Sequence, residues 1–319
     1  MTTHSARALA VRLVLALALL ALACAEREPT TSSSSRETSP ALGSSADRFA
    51  GDESGPARSG GSRSRTLRFA VTGDHGSGLP EQYAVAERMC SWRRHHPFRL
   101  VFTTGDNVYD NGEASRFPDT FFKPYACLLQ RNARFRSALG NHDVHTANGN
   151  LQVARAAFGY KDHRKNYVVR KKGVRFVVAN ATDLRENWLR RETRAQRGDR
   201  WTVVVLHYPI YSSGGYETYD DWRDWMPDLF VDRGVDLVLN GHDHVYSASK
   251  RLRGIRYVVT GGGGASLYAC HHRSYTDTCR SRHHFLYVVA NRRHLWVRAI
   301  PVKGEPFDSF RTKGRRPAD

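Results

Sequence analysis

Val235-Asp236-Leu237-Val238-Leu239-Asn240-Gly241-His242-Asp243-His244 is a short apolar run that stops at a glycine and two histidines. Apolar and β-branched residues in a run of this length predict a buried strand, which leaves the imidazoles just beyond its carboxyl end. The same arrangement recurs upstream. Arg68 to Thr72 runs into Gly73-Asp74, Leu100 to Thr104 into Gly105-Asp106, Phe135 to Leu139 into Gly140-Asn141-His142-Asp143, and Thr202 to Leu206 into His207. Five strands thus deliver polar, metal-competent side chains from their carboxyl ends, where open α/β sheets form a crevice for their sites.

Between these runs lie two helix-like stretches. Pro80 to His95 opens with proline and spaces Tyr83, Val85, Ala86 and Met89 helically, and Asp221 to Arg233 does the same with Trp222, Trp225, Leu229 and Phe230. Further β-type runs occupy Tyr167 to Arg170, Val174 to Ala179, Ile255 to Thr260, Phe285 to Ala290 and Leu295 to Ile300. So many strands exceed what one sheet comfortably holds. The expected class is therefore α/β, with two packed sheets flanked by helices in a four-layer αββα sandwich.

The strand-end residues Asp74, Asp106, Tyr109, Asn141, His207, His242 and His244 form a metal-ligand inventory. Carboxylates, a phenol and imidazoles suit first-row transition metals, and the absence of thiolates speaks against a structural zinc finger. Seven donors exceed the needs of one tetrahedral ion. With one bridging carboxylate they serve two ions, the arrangement that clamps the attacking and leaving oxygens of a phosphoryl centre. Taken singly, each residue reads equally as a turn residue or a satisfied polar group. Tyr109 is informative because a phenolate at neutral pH needs a strong Lewis acid, which favours a trivalent ion.

In order, these residues spell Asp-X-Gly, Gly-Asp-X-X-Tyr, Gly-Asn-His-Asp, an isolated His after an apolar strand, and Gly-His-X-His. From Arg68 to about Gly264 the series resembles the calcineurin-like metallophosphoesterases, and with Tyr109 it is similar to the short, single-domain purple acid phosphatases. The resemblance implies a first metal, ferric iron, held by Asp74, Asp106, Tyr109 and His244. It also implies a second, divalent ion (iron, zinc or manganese) held by Asn141, His207 and His242, with Asp106 shared between the two. It implies His142 as general acid, with Asp143 beside it to hold its proton. The expected function is hydrolysis of phosphate monoesters by metal-activated hydroxide, in the manner of an acid phosphatase. Two alternatives stand beside it. One is a phosphodiesterase or nucleotide-cleaving esterase on the same metals; the other is a non-catalytic, polyanion-binding surface lipoprotein with a degenerate site. The sequence departs from the family after His207, where Tyr208-Pro209-Ile210-Tyr211-Ser212-Ser213-Gly214-Gly215-Tyr216 holds no second His. Tyr211 and Tyr216 read either as pocket-lining or as packed loop aromatics. His75 reads as a support behind the ligands, His271-His272 and His283-His284 as exposed pairs, and Gly261 to Gly264 as a structural turn.

With 319 residues, 40% hydrophobic and 25% charged, the chain is neither wholly disordered nor a polytopic membrane protein. Residues 1–23 combine Arg7 and Arg12 with the apolar run Leu13 to Ala23, too short to span a bilayer, and read as a signal peptide. Ala21-Leu22-Ala23-Cys24 resembles a bacterial lipoprotein box, and plain cleavage after Ala23 fits the same letters. The expectation is a protein exported from a bacterial cell, either lipid-anchored at Cys24 or secreted or periplasmic. Residues 24–65 are rich in Ser and Gly and read as a disordered linker, 66–302 as the catalytic domain and 303–319 as a basic, flexible tail. Export permits disulfides: Cys270 and Cys279 flank a polar segment and read as a local bridge, whereas Cys90 and Cys127 fit buried thiols as well as a second bridge. Net charge is +18, and the first 65 residues carry only eight Arg against six acids, so most of the positive field belongs to the domain. That field implies an anionic substrate. No basic stretch is interleaved with aromatics along the chain, so a nucleic-acid partner is not expected.

Overall fold

The computed structural model describes residues 66–215 and 220–313. The signal peptide, the linker, Cys24 and Tyr216 fall outside the described residues. Among the described residues the strands are β1 (Leu67–Thr72), β2 (Leu100–Thr103), β3 (Arg134–Ser137), β4 (Tyr167–Lys171), β5 (Val174–Val178), β6 (Trp201–Val205) and β7 (Leu237–Asn240). They continue as β8 (Tyr246–Ser249), β9 (Arg256–Thr260), β10 (Thr276–Arg280), β11 (His284–Ala290), β12 (His294–Pro301) and β13 (Asp308–Lys313).

They form two mixed sheets, one ordered β13-β12-β11-β1-β2-β3 and the other β10-β8-β9-β7-β6-β5-β4. The ligand-bearing strands β1, β2 and β3 are parallel neighbours in the first sheet, and β6 and β7 in the second. All five loops beyond their carboxyl ends therefore open at one end of the molecule. The sheets pack face to face through Phe69, Phe102 and Phe176, with Phe176 5.0 Å from Phe69 and 4.2 Å from Phe102, ring centre to ring centre. Removing Phe176 to alanine from such a position costs about 3–5 kcal/mol. β6 shows why these strands read as unbroken apolar runs. Trp201, Val203 and Val205 face the sandwich core, while Val204 and Leu206 pack under the helix Met226–Asp232 on the other side.

Helix α1 (Pro80–His95) matches its sequence reading, starts on Pro80 and buries Val85, Ala86, Met89 and Trp92. The stretch from Asp221 to Arg233, expected as one helix, is two: Asp220–Arg223 and Met226–Asp232. Pro227 has no N–H to give a preceding turn, so it opens the second helix instead of continuing the first. Helix α2 (Ala126–Gln130) is tied to α1 by a Cys90–Cys127 disulfide, and Cys270–Cys279 closes the local loop expected there. The expectation of a flexible tail from residue 303 fails for Asp308–Lys313, which pair antiparallel with β12 as the edge strand β13. β8, β10 and β13 gave no sequence signal because Ser, Thr, Asp and Arg interrupt any apolar pattern in them.

Candidate metal centre

Each loop that leaves a strand end must turn sharply to bring its side chain over the sheet edge. Asp74 (φ 53°), Asp106 (φ 51°) and His242 (φ 72°) all take left-handed backbone conformations, which Asp and His tolerate better than bulkier residues and which cluster at functional sites. Gly105, at φ 104°, packs so closely on His207 that a Cβ there would lie 2.5 Å from Nδ1, and a Cβ on Gly140 would collide with the Asp106 carboxylate. These glycines admit the ligands rather than merely preceding them.

The structure brings all seven sequence-predicted donors together. Asp74, Asp106 and His207 are buried, with one donor atom from each lying within 4.8 Å of the others. Asp106 Oδ2 accepts from the Tyr109 hydroxyl at 3.0 Å and lies 3.4 Å from His207 Nε2. The Tyr109 oxygen is 3.0 Å from His244 Nε2, which in turn is 3.7 Å from Asp74 Oδ1. On the other side, Asn141 Oδ1 lies 3.0 Å from His207 Nε2 and 3.2 Å from His242 Nδ1. The donors thus fall into two groups, one of Asp74, Tyr109 and His244 and one of Asn141, His207 and His242, and Asp106 touches both. His207 donates Nδ1–H to the Thr104 carbonyl at 2.9 Å and His244 donates Nδ1–H to the Ser266 carbonyl at 2.7 Å, which fixes both tautomers with Nε2 toward the centre.

The electrostatics show what this cluster requires. Burial raises the Asp74 carboxyl well above its usual range, with Asp106 adding to the effect, and its Oδ2 has no hydrogen-bond partner. Burial opposes a charge on His207 too, but Asp106 and Asp74 outweigh it and lift the imidazole to about 9. Asp106, in return, is held well below the carboxylate range against its burial, chiefly by His207. Burial drives His242 down to about 3 and lowers His244, so both present lone pairs. Burial and the two aspartates push the Tyr109 phenol well above its ordinary value, so only a strongly Lewis-acidic cation would ionise it. Buried anions without compensating cations are costly, and an orphaned carboxylate oxygen beside neutral imidazoles fits divalent or trivalent metal.

Comparison with known proteins is consistent with this geometry. The family model for calcineurin-like phosphoesterases matches residues 67–246, more than half of the chain. The chain belongs to that family. This phosphoesterase is 24% identical over 304 residues to mouse (Mus musculus) tartrate-resistant acid phosphatase type 5, covering 76% of this chain and 92% of that protein. It is 25% identical over 201 residues to purple acid phosphatase 5 of Arabidopsis thaliana, covering 61% of this chain and 48% of that relative's length. The solved structure of a purple acid phosphatase from yellow lupin (Lupinus luteus) seeds has the same fold, with a TM-score of 0.67 and 18% identity over 79% of this chain and 54% of that one. Family membership makes the chain a hydrolase of phosphate esters that depends on metal.

Other expected residues are placed differently. Asp143 does not hold a proton on His142. It is wholly buried and accepts from Asn107 N (2.9 Å), Val108 N (3.0 Å), Gly140 N (2.8 Å) and Gln152 Nε2 (2.7 Å). Burial, then Asp106, raises its carboxyl to about 6 even against these donors. His142 instead donates Nδ1–H to the Asp110 carbonyl at 2.7 Å, and its ring lies 4.5 Å from that of Tyr109. His75 supports the site as expected, buried between Asn107 Oδ1 (3.2 Å) and Gln82 Nε2 (3.4 Å). His284 was expected to be exposed and is fully buried, because it opens β11 and faces Thr260 and Phe307. Tyr211 packs between Tyr257 and Tyr275 rather than lining the centre. Sequence reasoning missed two aromatics that flank the ligands. Tyr208 meets His242 edge-on at 4.8 Å, and Tyr268 stacks on His244 at 4.2 Å. Tyr208 directly follows His207 and could have been noticed; Tyr268 carries no local signal.

Proposed function

We propose that this phosphoesterase is an exported, binuclear phosphomonoesterase of the purple acid phosphatase type. The observation that carries the reading is Asp106 Oδ2, in contact with Tyr109 on one side and His207 on the other, so that one carboxylate joins two complete donor groups. In this reading Asp74, Tyr109 and His244 hold ferric iron, Asn141, His207 and His242 hold divalent iron, zinc or manganese, and Asp106 is shared. Bound there, the metal pair supplies Lewis acidity, acidifying a water nucleophile and drawing charge from the phosphoryl oxygens.

The protein's own groups do the rest. Thr104 and Ser266 orient His207 and His244, and the Asp110 carbonyl orients His142 so that Nε2 faces away from that bond. As the new O–P bond forms in line and the bond to the leaving oxygen breaks, protonated His142 donates its Nε2 proton to the departing alkoxide. No histidine follows His207 in its loop, so one acid serves where two are common in the family. The domain's positive charge favours approach of the dianionic ester. Export as a lipid-anchored or free protein rests on the sequence of residues 1–24, and mass spectrometry of the mature N-terminus distinguishes a lipidated Cys24 from simple cleavage.

The test of the metal assignment is direct. Purified protein should contain two metals per chain, release phosphate from an aryl phosphate, and show a visible tyrosinate charge-transfer band that Tyr109→Phe abolishes. Full activity in a colourless protein free of iron would remove the ferric assignment.

A further inference from the structure

Arg68, Tyr287, Trp296, Arg298 and Arg311 are scattered along the sequence, and strand register gathers them. Arg68 on β1 pairs with Val289 on β11, which pairs with Trp296 on β12, which pairs with Arg311 on β13. Two residues along, Tyr287, Arg298 and Ser309 form a parallel rung. Along β12, Leu295, Val297 and Ala299 point into the core, so Trp296 and Arg298 stand on the outer face, half-exposed. Cations and aromatics therefore interleave across strands although they do not along the chain.

The guanidinium groups are held without counter-ions. Arg298 and Arg311 lie 4.2 and 4.9 Å from the Trp296 ring centre, and Arg298 also lies 5.0 Å from Tyr287 and 5.5 Å from Trp92. Among the described residues, the ion pairs within 4.0 Å involve neither Arg68, Arg298 nor Arg311. Arg298 Nε is buried with no hydrogen-bond partner, and burial draws this guanidinium below its usual range. A half-buried cation with an orphaned donor is costly, and stacking leaves the planar group's N–H edge available to phosphate oxygens.

Position decides which anion. Arg68 lies toward the amino end of β1, about 13 Å along the strand direction from the carboxyl end at Thr72 that feeds the metal centre. Residues 24–65, which begin at the candidate lipidation site Cys24, join the domain at Thr66, beside Arg68. Trp296 supplies the amphipathic ring that membrane interfaces favour. Single-stranded nucleic acid fits less well, since the rings it would stack on already carry guanidinium groups.

We propose that the outer face of β12 and β13, with Trp296, Arg298 and Arg311, together with Arg68 at the end of β1, docks on an anionic phospholipid surface and holds the catalytic end away from it. The test compares partition of the full chain onto phosphatidylglycerol-containing vesicles and onto pure phosphatidylcholine vesicles. A lipid on Cys24, or the apolar run in uncleaved chain, contributes equally to both, so the difference reads the patch. The anionic excess should shrink with salt and fall on the order of a hundredfold in the combined variant Arg68→Gln, Arg298→Gln, Arg311→Gln. Arg311→Glu, on the exposed edge strand, should lower it roughly thirtyfold with unaltered circular dichroism, which keeps the test valid if the combined variant misfolds. Equal partition onto both vesicles, or an anionic excess that survives the substitutions in folded protein, overturns the proposal. So does binding of a single-stranded oligonucleotide, without vesicles, that is tighter than partition onto the anionic vesicles and is lost in Arg311→Glu, which would assign the face to a polynucleotide.

Discussion

His142 donates to a backbone carbonyl, whereas Asp143 accepts from three backbone amides and from the side-chain amides of Asn107 and Gln152, and this difference separates the effects of substituting two neighbouring residues. His142→Ala removes only the proton donor. It should lower kcat by about 10²–10⁴-fold with both metals retained, read by turnover alongside metal content; an unchanged kcat would remove His142 from the mechanism. Asp143→Asn does the reverse. An amide nitrogen cannot accept, so at least one buried N–H from Asn107, Val108 or Gly140 loses its partner. Stability should fall by about 1–3 kcal/mol in urea and metal retention should weaken, because these amides shape the loops that carry Asp106 and Asn141. Turnover per fully loaded site, and its pH profile, should stay close to wild type. The sequence exposed both residues as chemically interesting but not which way each points, because a four-residue helix (Asn141–Val144) turns adjacent side chains about 100° apart, Asp143 inward and His142 toward the surface.

At the scale of elements, legibility followed the number of buried faces. β1, β2, β6 and β7 have parallel neighbours and are largely apolar, so their residues alone announce them, and the ligands stand just past their ends, after a glycine in β1, β2 and β7 and directly, as His207, after β6. β8 and β10 lie in the antiparallel corner of the second sheet, and their pairing is imposed by neighbours rather than by pattern. The polar strand β10 is secured covalently by Cys270–Cys279, and Tyr275 OH donates to the Ser212 carbonyl beside it. The two disulfides should differ in weight. Cys90 and Cys127 are 37 residues apart and Cys270 and Cys279 only nine, so chain entropy assigns about 4 kcal/mol to the first and about 3 kcal/mol to the second. Paired Cys→Ser variants melted under identical conditions should rank in that order. The opposite ranking would mean that folded-state contacts of the short loop outweigh the closure of the long one.

For the whole molecule, charge and acid tolerance depend on placements that sequence does not reveal. The cationic face arises from register across four strands, so no window along the chain contains it. His284 likewise looked exposed beside His283, yet it sits between the Arg282 carbonyl and Thr260 Oγ1, and burial lowers it from 6.5 to about 4. The sign follows from proton counting. Between those two values the unfolded chain binds a proton that the native imidazole refuses, so stability rises with pH across that window. The contribution of neutral His284 is complete above pH 6.5, declines as pH falls, and is lost by about pH 4, on the order of 3 kcal/mol in all. An enzyme proposed to work in acid thus carries an acid-labile group where its two sheets meet the site-bearing end. His284→Asn keeps a donor for the Arg282 carbonyl without a titrating ring. It should be less stable than wild type at pH 8 yet show a flatter decline in urea midpoint from pH 6.5 to 4. Parallel declines in the two proteins would locate the acid sensitivity elsewhere.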